Sequence, residues 1–196
     1  MIFSILAVKP IFIFGFLFLV MAFFFVKWLH RDPERIIPSE NDLILSAADG
    51  RVHDIERVSE NLYLKGEGIR VGVYLSLLDV HVNRIPVSGV VRFLSYSPGR
   101  FLPAYMPQAS LRNEQQCIGI ENDRCKILVN QIAGFIARRI VCRLHPGDVV
   151  NVGDRFGKIT FGSRVELVVP PHTNMKINVG DRVKAGLRLR LDLDLN

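Results

Sequence analysis

The chain has 196 residues, enough for one domain with a sizeable core and too few for two ordinary ones. Its apolar fraction is 49%, much of it crowded into the first 29 residues, so the remainder has the composition of a soluble globular domain. The formal net charge of +6 comes without a basic stripe interleaved with aromatics and without a nucleic-acid motif; it argues for an anionic lipid surface and against nucleic acid.

Residues 11–26, IFIFGFLFLVMAFFFV, hold no charged or strongly polar side chain. Carried on through Lys27, Trp28 and Leu29, they reach the lower limit for spanning about 30 Å of hydrocarbon. A second apolar piece, Met1 to Val8, precedes Lys9-Pro10, which leaves a single spanning helix and a re-entrant pair both open. The KWLHRDPER that follows holds no small-residue cleavage site and argues against a signal peptide. Lys27, His30, Arg31 and Arg35 flank the carboxyl end, and Trp28 stands where an interfacial ring would. The positive-inside rule then puts the following part on the cytoplasmic side of the cell membrane. The expected organisation is a membrane anchor at 1–29, a stiff two-proline linker at 30–41 and a β domain at 42–196.

From Asp42 onward the chain reads as mainly β, with short apolar runs between glycine turns: LILSA (43–47), IRVGVYLSL (69–77), VVRFL (90–94) and VELVV (165–169). The stretch 126–144, KILVNQIAGFIARRIVCRL, fits either two strands bent at Gly134 or a segment with a short helix. Asn151-Val-Gly-Asp-Arg155 recurs as Asn178-Val-Gly-Asp-Arg182, and Pro146-Gly147-Asp148 is a third Gly-Asp turn. These turns resemble those of lipoyl-type domains and predict a compact β-sandwich or barrel-like fold. Cys117, Cys125 and Cys142 are too widely spaced for a zinc site, and their odd number fits reduced thiols.

Phe161-Gly162-Ser163 stands between two apolar runs, about where a carboxyl-terminal hairpin would turn. A Gly-Ser pair alone is usually no more than a turn. Here only 33 residues follow it, enough for a few strands that would stay clamped in a sheet after a backbone cut.

Six blocks, RDPER (31–35), SAADGRV (46–52), LDVHVNRIPVSGVV (78–91), NEQQ (113–116), QIAGFIARRI (131–140) and GKITFGSRVELVVP (157–170), resemble the short, pyruvoyl-dependent phosphatidylserine decarboxylases, in the family's order. The resemblance implies a proenzyme that cuts itself between Gly162 and Ser163 into fragments 1–162 and 163–196. Ser163 would attack the Gly162 carbonyl, where no side chain obstructs the approach, and would end as a covalent pyruvoyl group. That group would form a Schiff base with the amine of phosphatidylserine and accept the electron pair as carbon dioxide leaves, giving phosphatidylethanolamine. The resemblance calls for no metal and no separately bound cofactor. It makes the two fragments a heterodimer, or a higher oligomer of it.

It also makes His81 the base and later proton donor, with Asp49 orienting it. Longer relatives carry a second histidine where this chain has Arg84, and arginine is no general base at neutral pH. Either His81 serves both steps or another group, such as His172, takes one. Arg84 is then a candidate for binding the substrate phosphate or carboxylate, with a structural role equally open. Two rival readings remain at this point: a non-catalytic, membrane-tethered sandwich domain, and a pyruvoyl enzyme for another amino acid.

Overall fold

The computed structural model describes residues 2–38, 43–136, 139–159 and 162–193. Phe161 of the Phe-Gly-Ser motif, Ala137 and Arg138, and residues 39–42 at the expected domain boundary lie outside them. The chain divides into two compact units between Arg31 and Asp32.

The first unit is one helix, α1 (Ile2–Leu29), uninterrupted through Lys9-Pro10; the re-entrant pair is not formed. Its portion Phe12–Leu29 is long and apolar enough to cross a membrane, and nearly all of the large side chains there are exposed. A helix that is apolar all round has no polar face to turn to water. Its last turn is basic, as the negative end of the helix dipole favours: Lys27 lies within it, and the Arg31 guanidinium sits 4.2 Å from the Trp28 ring centre.

The second unit is mainly β. Numbered along the chain, its largest sheet has eight strands in the order β13 (Arg182–Val183), β2 (Gly50–Glu60), β3 (Gly66–Leu75), β11 (Ser163–Val169), β7 (Lys126–Ile132), β6 (Gln115–Glu121), β5 (Gly89–Ser97) and β9 (Val149–Val150). All its pairings are antiparallel, and it curls into a half-barrel. A second sheet joins β4 (Val82–Arg84), β10 (Arg155–Ile159) and β8 (Ile140–Cys142); a third joins β1 (Leu43–Leu45), β14 (Arg188–Leu193) and β12 (Thr173–Met175). The four apolar runs expected as strands fall on β1, β3, β5 and β11, and 126–144 is two strands rather than a helix.

Alternation places Val71, Val73 and Leu75 of β3 and Val165, Leu167 and Val169 of β11 on one face, in a single core with Ile118, Ile127, Val129, Phe156 and Ile159. Each such side chain contributes about 1.5–3 kcal/mol on burial. Strand β11 is bonded on both edges and buried along its whole length, including its polar residues Ser163, Arg164 and Glu166.

The three Gly-Asp turns are one device used three times. In each, a glycine with positive φ (Gly147 98°, Gly153 86°, Gly180 97°) is followed by an aspartate whose carboxylate accepts the backbone N–H three residues earlier. The glycine N–H and the aspartate carbonyl then clasp a single residue of another segment: Val91, Ile85 and Val52 respectively. Strands β9, β10 and β13 each start directly behind such a clasp.

Candidate active site

Among the described residues, the strands on either side of Gly162-Ser163 pair with other strands and not with each other, unlike the expected hairpin. Strand β10 bonds to β4 and β8, whereas β11 bonds to β3 and β7. The cleavage candidate is therefore a crossover from the small sheet into the middle of the large one. Gly162 has φ 67°, in the left-handed region that glycine adopts without a steric cost. Ser163 opens β11 opposite Leu75, on the core-facing row, and is 0% exposed. Among the described residues its hydroxyl has no hydrogen-bond partner, a deficit that ordinarily costs about 1–3 kcal/mol.

His81 is reached along the chain from the residue that pairs with Ser163. Strand β3 ends at Leu75, and the loop behind it is tightened by the Asp79 carboxylate, which accepts from Ser76 N (2.8 Å) and Oγ (2.6 Å). His81 follows, and its carbonyl accepts the Ile159 N–H at 3.2 Å. Two pairings thus link the described residues of this region, Leu75 with Ser163 and His81 with Ile159. The His81 side chain is 2% exposed.

Asp49 sits in the bend before β2, buried, with Arg35 Nη2 at 2.9 and 2.8 Å from its two oxygens and the Ala185 N–H at 2.9 Å. It shares a cleft with Asp79, Arg182 and Lys184. Arg84, on β4, is buried, which pushes its pKa below the ordinary arginine value. Its guanidinium donates to the carbonyls of Gly153 and Pro33, each at 3.0 Å, and to Asp32 at 3.3 Å. Arg155 reaches Asp32 and Glu34 at 2.6 and 2.7 Å; its hydrogen bond and charge hold the Glu34 carboxyl below its usual range. Residues 32–38, expected as a linker, therefore run without helix or strand as a strap fixed to the β unit.

His172 is exposed in the turn behind β11, with the whole strand between it and Ser163. Six steps at a strand rise of about 3.3 Å put it on the order of 20 Å away, too far to take a proton from Ser163.

Several neighbours escaped the sequence reading. Arg164, 2% exposed, donates from Nε to Glu166 (2.9 Å) and from Nη2 to Asp54 (2.8 Å), on the face of β11 opposite Ser163. An apolar pocket lined by Tyr74, Pro103, Ala104, Tyr105, Phe135 and Ile136 opens at Gly162, with Tyr105, Phe135 and Ile136 more than half exposed. Charges at alternate positions of the apolar run Ser163-Arg-Val-Glu166 signalled the ion cluster; nothing local signalled the pocket, whose walls come from three separate segments.

The family model of phosphatidylserine decarboxylase matches residues 21–190, from within α1 into β14. The chain belongs to the phosphatidylserine decarboxylase family. Among the relatives of that family, the phosphatidylserine decarboxylase proenzyme of Carboxydothermus hydrogenoformans is 44% identical over 172 residues, covering 87% of this chain and 81% of the relative. The proenzyme of Chlorobium phaeobacteroides is 45% identical over 162 residues (83% and 76%), and that of Syntrophus aciditrophicus 45% over 166 (84% and 78%). The family accounts for the blocks that a tethered, non-catalytic sandwich domain leaves unexplained.

Proposed function

We propose that this phosphatidylserine decarboxylase matures by cutting its own chain between Gly162 and Ser163 and that Ser163 becomes its pyruvoyl group. The observation that carries this reading is the Ser163 hydroxyl: wholly buried, without a hydrogen-bond partner among the described residues, and directly behind a left-handed glycine. An unmet hydroxyl in that position suits a nucleophile better than a packing residue, and a group built on Ser163 fits where the side chain already lies.

His81 takes the proton from Ser163 Oγ, which attacks the Gly162 carbonyl carbon; the Gly162–Ser163 C–N bond breaks and the chain is left joined through an ester. Removal of the Ser163 Cα proton then breaks the Cβ–Oγ bond. Gly162 departs as a carboxylate carrying both oxygens, and water replaces the Ser163 nitrogen, which leaves as ammonia. The pyruvoyl carbonyl, once present, supplies an electron sink for the amine-bearing substrate.

His81 remains to deliver a proton to the substrate carbon that has lost carbon dioxide, and its burial keeps bulk water from competing. Asp49 supports this proton traffic from a fixed position, and Arg84 holds the strap rather than the substrate. Fragments 1–162 and 163–196 stay together because β11 is laced between β3 and β7. The apolar pocket at Gly162 admits the lipid, and α1 keeps the β unit on the cytoplasmic face of the membrane, its cationic end toward anionic headgroups.

The test is the intact mass of the purified protein. Two fragments divided at Gly162, the smaller lacking a free amino terminus, are the expected result; a single full-length chain in an active preparation overturns the reading.

A further inference from the structure

Gly134 lies just beyond the end of β7, distant in sequence from the cleavage point, and its missing side chain is what lets the Gly162 carbonyl stand where it does. A Cβ built on Gly134 collides with the Gly162 carbonyl oxygen and carbon. The same point is 3.4 Å from the Ala104 side chain, so the slot is closed on its second side.

Neither partner is free to withdraw. The Ala133 N–H donates to the Glu114 carbonyl at 2.9 Å, and its carbonyl accepts from Asn113 Nδ2 at 2.7 Å. Asn113 is 1% exposed and is itself fixed by donating to the Leu102 carbonyl (2.7 Å) and accepting from the Leu102 N–H (2.8 Å). On the other side, Ser163 and Arg164 are already in the ladder, opposite Leu75 and between Tyr74 and Ile132.

We infer that Gly134 is a positioning residue for self-cleavage: it seats the scissile carbonyl oxygen of Gly162, so that the carbonyl carbon faces the hydroxyl of Ser163. The inference rests on the reading of Gly162–Ser163 as the bond that is cut. In the acyl shift, Ser163 Oγ bonds to the Gly162 carbon, its proton passes to the base, and the C–N electron pair goes to the Ser163 nitrogen, which takes up a proton. Before the C–N bond breaks, negative charge collects on the Gly162 oxygen, and that oxygen lies against the Gly134 Cα. A glycine Cα–H is a weak hydrogen-bond donor that a carbonyl oxygen approaches closely, and no other residue leaves that space open.

The experiment is maturation of full-length Gly134→Ala in detergent, followed on denaturing gels with and without hydroxylamine, which cleaves esters. Displacing a reacting group by about 1 Å costs on the order of 100-fold, so cutting should slow by at least that factor. Hydroxylamine should not restore it, because no ester forms, whereas the wild-type precursor is cut between 162 and 163. The melting temperature should match that of uncut Ser163→Ala protein. Maturation of Gly134→Ala at the wild-type rate, or rapid cutting once hydroxylamine is added, overturns the inference while leaving the cleavage site intact. A wild-type protein that is not cut at Gly162 sinks the underlying reading instead. If the alanine variant yields no folded protein, a crystal structure of the Ser163→Ala precursor decides: the Gly162 oxygen must lie against Gly134 Cα, and a carbonyl turned away refutes the role.

Discussion

Arg35 holds Asp49, with one guanidinium nitrogen 2.9 and 2.8 Å from the two carboxylate oxygens and both side chains nearly buried. Arg35 belongs to the strap behind the helix, Asp49 to the bend before β2. The pair therefore joins the segment that follows α1 to a residue proposed to serve the chemistry. Removing one partner of a buried ion pair costs about 3–5 kcal/mol, because the other charge is left alone. Arg35→Ala should lower the melting temperature and slow self-cleavage about 10-fold, equivalent to about 1.4 kcal/mol on the barrier. Arg35→Lys should recover part of both, since lysine restores the charge but not the planar guanidinium. Unchanged cutting in Arg35→Ala, read as the cut fraction against time, separates the strap from the chemistry.

His81 and Ser163 each take part in one of those two pairings, yet their loss should look different. Ser163→Ala has no nucleophile and should stay uncut indefinitely. His81→Ala keeps the nucleophile without its base and should accumulate precursor that cuts on the order of 100-fold more slowly, the usual worth of a general base. Precursor of His81→Ala that matures at the normal rate removes His81 from the first step. If that matured protein still fails to decarboxylate, the proton delivery to substrate stands alone.

How much of this was legible beforehand follows from which interactions are local. The runs at 43–47, 69–77, 90–94 and 165–169 carry their own strand signal, whereas the burial of Arg164 and Glu166 on β11 could not be read from their own types. Strand β2 carries no such signal, because Arg51, His53, Glu56 and Arg57 are exposed and mask the alternation. Hairpin geometry at Gly162 was a fair inference from apolar–turn–apolar, and it failed because the strand edges beside the turn are taken by β4 and β3 instead. The blocks around His81 and Ser163 were visible as residues, but the backbone pairings that link their segments, Leu75 with Ser163 and His81 with Ile159, are remote in sequence. For Arg84 both a substrate-binding and a structural role were open, because nothing in its own block reveals its contacts with Asp32 and Pro33.

The cysteines give an independent check on burial. Burial pushes the thiols of Cys117 and Cys125 up to about 11, from an ordinary value near 9, and raises Cys142 as well. In the unfolded chain they ionise earlier, so the folded state has their full contribution below about pH 9 and loses it as pH rises toward 11. Urea midpoints should therefore fall across that window, and Cys117→Ala,Cys125→Ala should flatten the fall. Iodoacetamide at pH 7.5 should label the folded protein slowly, with half-buried Cys142 reacting ahead of the other two. Rapid labelling of Cys117 would contradict its burial on β6 against Leu128 and Val168.

The last prediction concerns the helix. Phe12–Leu29 presents apolar side chains in all directions, and Lys27 and Arg31 stand at its carboxyl end. Each basic residue near an anionic leaflet contributes about 1 kcal/mol, so on the proposed reading helix and flank together would hold the β unit at a surface that also contains phosphatidylserine. The strap begins at Asp32, behind that helix, and carries Arg35 to Asp49. A chain that starts at Arg31 keeps the strap and should cut itself at the normal rate, while one that starts at Ile37 loses Arg35 and should mature slowly. The Arg31 form should turn over phosphatidylserine in intact vesicles at least about 10-fold more slowly than full-length protein, since it must find the surface anew for every encounter. On short-chain, soluble phosphatidylserine the two should be equal, because what was removed is access and not chemistry. Equal rates on vesicles would show that the helix does not deliver substrate, and a deficit on the soluble lipid would place part of the chemistry in the helix itself.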